Sequence, residues 1–192
     1  MNSQNVINAE VAITPKRFWD AFAEALKGRF ADAGSGFREA YVCGDEWTAC
    51  MTGFLKKLAD RFDCHVDCEY WPRVDVAYFD RSTKRDWEPW SMEAAIEHEI
   101  GPYWCESEVC KLMMVNSGLK VIIAYEDEDL VIKGALNEFV EILQSRKYSN
   151  AARWLFILGP RVLADGRDYH AFSYDGSTID EITGERNILC PS

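Results

Sequence analysis

The sequence predicts an α/β protein, and three features carry that expectation. Two segments of helical period open the chain, three short strand-like runs follow one another, and the apolar runs LKVIIAY and RWLFILG then alternate with further helical segments. A strand, a helix and a strand in that order imply a crossover with the two strands parallel. The sheet should therefore be mixed and flanked by helices, with an antiparallel part contributed by the three sequential strands.

The first helix is read over residues 14–34. Phe18, Trp19, Phe22, Leu26 and Phe30 recur at near-helical spacing, Thr14 is placed to cap the start before Pro15, and Gly34 lies near the end. A second helix begins near Asp45, which can cap it, and presents Trp47, Cys50, Met51, Phe54, Leu55 and Leu58 on an apolar face. CHVDCEYW and RVDVAYFD are strands joined by a turn around Pro72, and a polar connection leads to a third strand at about Glu93 to Ile100. Ser107 to Asn116 suits a helix with Val109, Leu112 and Met113 inward, closed by Gly118 before strand Leu119–Tyr125. Leu130, Ile132, Leu136, Phe139, Val140 and Leu143 mark a long helix from Asp129 to Arg146. The tail, about residues 168–183, is a hairpin whose turn chemistry comes from Asp175 and Gly176.

A chain of 192 residues is expected to form one domain over 1–192, with a core at about 45–160, and to bury roughly 70% of its extended surface. Hydrophobic residues make up 48%, and seven Trp and ten Phe spread through the chain argue against disorder. No apolar run reaches the ~18 residues that span a bilayer, and MNSQNVINAE lacks a signal-peptide pattern. The expected location is cytoplasmic, with no membrane partner. Seven cysteines, an odd number without close-spaced pairs, read as reduced thiols. Cys64, His65 and Cys68 lack the paired spacing of a zinc site and fall along one strand.

The charge is the main objection to a nucleic-acid ligand. With 21 basic and 32 acidic residues the formal net charge is -11, whereas a duplex binder normally carries a basic footprint. Arg81, Lys84 and Arg85 are expected to form a local basic group near the site described next, and Arg146 with Lys147 a second one.

Asp75 sits in RVDVAYFD, and Glu97 and Glu99 sit in AAIEHEI. Alternation along a strand points Glu97 and Glu99 to one side, and Asp75 joins them if its strand is adjacent. Three hard oxygen donors suit Mg²⁺ or Mn²⁺, and close carboxylates without a cation would repel one another. Their solvated or ion-paired alternative would engage Lys84 and Arg85. His98 should point away from the two glutamates and make a structural hydrogen bond, and His65 and His170 have no constellation around them. Trp87, Trp90, Tyr103 and Trp104 bracket the ExE strand, as packing residues or as stacking surfaces for bases. No P-loop, dinucleotide glycine motif, GxSxG elbow or HExxH motif occurs.

From about Asp45 to Tyr125, the order helix, two strands, a strand bearing ExE, helix with EVCKL, and apolar strand resembles the core of the PD-(D/E)xK nuclease superfamily, the restriction-endonuclease-like fold. The resemblance implies that Asp75 and Glu97 bind metal, together with the backbone carbonyl of His98, and that Glu99 assists the attacking water. It also implies that Glu46, or in second place Glu39, is the acid some members supply from the preceding helix. Pro72 stands three residues before Asp75 instead of beside it, and Glu99 stands where lysine is usual. Lysine can move to the following helix in such proteins, which makes Lys111 the candidate. Two functions follow as expectations: a Mg²⁺- or Mn²⁺-dependent nuclease acting on DNA ahead of RNA, or an inactive nuclease-fold protein that recognises a basic protein partner. A homodimer is compatible with either.

Overall fold

Seven strands make one mixed sheet whose spatial order, β1 to β7, is the order of the sequence. The computed structural model describes residues 12–32, 34–41, 43–70, 74–81, 92–100, 104–126, 128–145, 153–161, 168–184 and 188. Its elements run α1 (Pro15–Ala31), α2 (Phe37–Tyr41), α3 (Gly44–Leu58) with a 3-10 turn Ala59–Phe62, then β1 (Cys64–Tyr70), β2 (Val74–Asp80) and β3 (Met92–His98). They continue with α4 (Trp104–Met113), β4 (Leu119–Tyr125), α5 (Asp129–Ser145), β5 (Arg153–Gly159), β6 (His170–Tyr174) and β7 (Ile179–Glu181). The class is α/β with a mixed sheet, as the sequence predicts.

The pairs β1–β2 and β2–β3 are antiparallel, the first joined by a short connection, whereas β3–β4 and β4–β5 are parallel because α4 and α5 carry the chain back between them. The tail returns antiparallel through β6 and β7. In its turn Asp175 accepts hydrogen bonds from the Ser177 and Thr178 amides, while Gly176 adopts φ 107°.

Two apolar layers cover the sheet. Residues Val76, Tyr78, Ile96, Val121, Ile123 and Leu155 pack under α1, α2 and α3, while Ala77, Ala95, Ile122, Ala124 and Phe156 pack under α4 and α5. The helices are helical where their apolar period demands burial. In α1, Thr14 Oγ1 accepts the Arg17 amide at 3.2 Å, Pro15 fills the first turn, and Phe18, Trp19, Phe22, Leu26 and Phe30 are buried.

The helices differ from the sequence expectation at several points. α3 starts at Gly44 with Cys43 in the capping position, so Asp45 lies within the first turn. The five-residue helix α2 is too short to show a period. α4 begins three residues earlier than expected, at Trp104.

Lys120 anchors α4 to the sheet. It is fully buried on β4, where Nζ donates to the Leu112 carbonyl at 2.5 Å and to the Val115 carbonyl, and lies 5.6 Å from the Trp154 ring centre. The Leu112 carbonyl belongs to the last turn of α4 and Val115 lies two residues past its end, where main-chain acceptors have no helical partner and a cation is favoured. Burial lowers the Lys120 pKa to about 8. Among the described residues no helix is long and apolar enough to cross a membrane.

Gly159 ends β5 against the buried ring of Tyr169. A Cβ there would stand 2.5 Å from Cε1 and 2.8 Å from Cζ. Gly159→Ala should therefore destabilise the fold by about 1–3 kcal/mol, the scale of overpacking, and Gly159→Ala combined with Tyr169→Leu should recover part of that loss. Equal urea midpoints for parent and Gly159→Ala would contradict this packing.

Candidate active site

The β2–β3 ladder determines which acids meet. Val76 pairs with Ile96 and Ala77 with Ala95, so Asp75 and Glu97 form the next rung towards the end of β3. Alternation puts them on the side of Ala77 and Ala95, the side covered by α4. The two strands also share a main-chain tie here, because the His98 amide donates to Asp75 Oδ2 at 2.8 Å. α4 then returns across this corner with Glu108 and Lys111, which neighbour each other at a spacing of three residues. Lys111 Nζ donates to Glu108 Oε2 at 2.5 Å and to Glu97 Oε2 at 2.9 Å.

Glu97 is 1% exposed, and its Oε1 has no hydrogen-bond partner among the described residues. Burial, followed by the charge of Asp75, pushes its pKa up to about 9, against the pull of Lys111. Burial also raises Asp75, opposed by the His98 amide, the Lys111 charge and a hydrogen bond with Glu97. A hydrogen bond between two carboxyl groups requires a proton, so the pair needs either one shared proton or a cation. For Lys111 burial disfavours the ammonium, but hydrogen bonds to Glu108 and Glu97 outweigh it and raise the pKa. The corner therefore holds three acids and one permanent cation.

Of the residues expected at the site, Asp75, Glu97 and Lys111 come together. Glu99 lies one residue past the end of β3, half-buried, with its amide donating to the Ile123 carbonyl at 2.9 Å. It extends the strand direction. Glu46 is exposed on α3, and Glu39 on α2, in the helical layer on the opposite face of the sheet. Glu108 is the member that sequence reasoning missed. Its position three residues before Lys111 in ESEVCKL was the available signal.

His98 behaves as expected. Its side chain points to the α3 layer, where Nε2 meets Tyr125 OH at 2.9 Å, and Trp47 Nε1 donates to the same hydroxyl at 2.6 Å. Burial lowers its pKa to about 4, so the imidazole is neutral. The basic group needs correction. Arg81 bonds Asp60 at 2.6 Å, Asp63 at 3.2 Å and the Cys64 carbonyl, at the end of β2 away from Asp75, six residues or about 20 Å along the strand. Lys84, Arg85, Trp87, Trp90, Tyr103, Arg146 and Lys147 lie outside the described residues, as does the side chain of Trp104.

No known family model matches the chain, and no curated protein sequence matches it.

Among the described residues no three His, Cys, Asp or Glu side chains stand together as a ready cage for a metal. The Lys111 ammonium instead bridges two of the three acids. What the corner does offer is a pair of adjoining carboxyl groups with one buried oxygen, Glu97 Oε1, still without a partner among the described residues. Mg²⁺ is characteristically held by one or two carboxylates with water completing the shell, so this donor set fits Mg²⁺ or Mn²⁺ better than a cation that needs six to eight protein oxygens.

A raised acid pKa means that the folded state binds more protons than the unfolded state between pH 4.5 and about 9, so stability falls as pH rises through that window. Urea unfolding in metal-free buffer should show this decline for the parent protein. Glu97→Gln should flatten it and be the more stable protein at pH 8. Parallel pH curves for the two proteins would contradict the assignment.

Proposed function

We propose that the protein is a metal-dependent phosphodiesterase, a nuclease of restriction-endonuclease-like fold acting on DNA or RNA. One observation carries this reading: the Glu97 carboxyl group is fully buried beside Asp75 and leaves Oε1 without a partner among the described residues. Supporting it, the order α3, β1, β2, β3, α4, β4 is the order of elements on which the resemblance rests. The acids on β2 and β3 also lie on one side of the sheet, next to the lysine of the following helix.

Each residue then has a distinct task. Asp75 and Glu97 would hold the ion; the His98 amide orients Asp75 at Oδ2, and in the metal-free protein Lys111 holds Glu97 at Oε2. A bound Mg²⁺ or Mn²⁺ lowers the pKa of water and offsets charge developing on the phosphate. Lys111, retained by Glu108, donates from its part-exposed ammonium to the attacking water or to a phosphate oxygen. An ammonium with three donors can do this while keeping one carboxylate partner. In this reading Glu99, two residues past Glu97, is the alternative to Lys111 for orienting the water.

The net charge of -11 favours a second reading, an inactive protein of the same fold whose acidic surface binds a basic protein partner. Cleavage assays on single-stranded and duplex DNA and RNA with Mg²⁺ or Mn²⁺ separate the two. The nuclease reading expects cleavage by the parent and losses of at least about 10²-fold in Asp75→Asn, Glu97→Gln and Lys111→Ala, the scale of deleting one electrostatic contributor. An inert parent, or variants that cleave equally well, would refute it.

A further inference from the structure

We propose that Lys111 is a tethered counter-ion of the acid corner, holding Glu97 until a divalent cation takes it over. The inference rests on the reading of Asp75 and Glu97 as metal ligands and concerns how that site is regulated before metal arrives.

The two partners of Lys111 are unequal. Glu108 lies three residues away on the same helix, so its contact at 2.5 Å is made within α4 and does not depend on the sheet. The contact with Glu97 at 2.9 Å spans from helix to strand. The Lys111 side chain is 27% exposed, whereas that of Glu97 is 1% exposed. The lysine can therefore swing towards solvent while it keeps Glu108, and Glu97 cannot follow it.

The corner is also incompletely neutralised. Asp75, Glu97 and Glu108 face one ammonium, and the nearly fully buried Glu97 retains Oε1 without a partner among the described residues. That oxygen, which only a proton shared with Asp75 or a cation would satisfy, is a second observation beside the grouping of acids. A divalent ion on Asp75 and Glu97 would supply the charge now drawn from Lys111. Two cations at one carboxyl group repel each other, so the arriving ion weakens the Lys111–Glu97 bond and the ammonium moves outward on Glu108. There it faces the side from which a phosphate approaches. Release of the lysine and loading of the ion become one exchange, so that Lys111 is placed for substrate only when metal is present.

A lysine that competes with metal and one that merely buttresses Glu97 give opposite results when removed. Mn²⁺ binding is measured by calorimetry, without substrate, for the parent, Lys111→Met, Lys111→Gln and the exposed-helix control Lys133→Met. Circular dichroism checks that each is folded. Competition predicts that both Lys111 variants bind Mn²⁺ roughly tenfold or more tightly than the parent, from loss of a nearby positive charge, with Lys133→Met unchanged. Mn²⁺ should also raise the melting temperature of Lys111→Met by more than that of the parent. Equal or weaker binding by the folded Lys111 variants, with the parent binding, would overturn the exchange and leave the metal reading standing. An equal gain in Lys133→Met would also overturn it, because general charge would then explain the effect. No Mn²⁺ binding by any of the four proteins would overturn both the inference and the metal reading.

Discussion

A carboxyl group buried at the end of a strand is stable only with a proton, a hydrogen-bond donor or a cation beside it, and Glu97 sets that demand for the corner around it. Asp75 increases it by adding a second acid on the neighbouring strand. Lys111 meets part of it from α4, but its ammonium is shared with Glu108 and leaves one oxygen of Glu97 without a partner among the described residues. A purely structural role would be served better by an apolar residue, since a buried ion pair is often no more stabilising than well-packed hydrophobic side chains. The retention of three acids around one lysine is the reason for assigning this corner a chemical task.

The rest of the fold keeps those few groups in place. Alternation along β3 sends Glu97 towards α4 and His98 towards α3, so one strand end joins the acid corner to an aromatic layer behind it. There Trp47 and His98 both bond the Tyr125 hydroxyl, and Tyr41 donates to the Pro160 carbonyl. The His98 amide, held by that packing, fixes Asp75. On the other side Lys120 ties the last carbonyls of α4 to the sheet, which limits how far Glu108 and Lys111 can drift from Glu97. Two lysines thus act on α4 in different ways: one is buried and capping, the other part-exposed and paired with Glu97 and Glu108.

Much of this arrangement was legible in the residues, because periodicity reports which side of an element is buried. The apolar repeats of α1, α3 and α5 and the runs LKVIIAY and RWLFILG located their elements, and the length of the connections separated parallel from antiparallel pairing. The meeting of Asp75 with Glu97 depended on a register that alternation made plausible and only the β2–β3 ladder supplies. Glu108 was overlooked because the ExE spacing drew attention to the strand, although a helix brings residues three apart together as surely as a strand does residues two apart. Glu46 was expected from the resemblance, and the position of its helix on the opposite sheet face could not be read from local spacing. Arg81 was grouped by proximity in sequence with the site, but it lies beyond the far end of β2. Sequence distance along an extended strand is distance in space.

In the proposed function Asp75 and Glu97 jointly hold one divalent cation. The most direct measurement is anomalous X-ray diffraction from crystals grown with Mn²⁺. The account predicts an anomalous peak between the two carboxyl groups, in contact with Glu97 Oε1, with Lys111 no longer bonded to Glu97. Well-ordered crystals at saturating Mn²⁺ that show no peak there, with Lys111 still bridging Glu97 and Glu108, would contradict it.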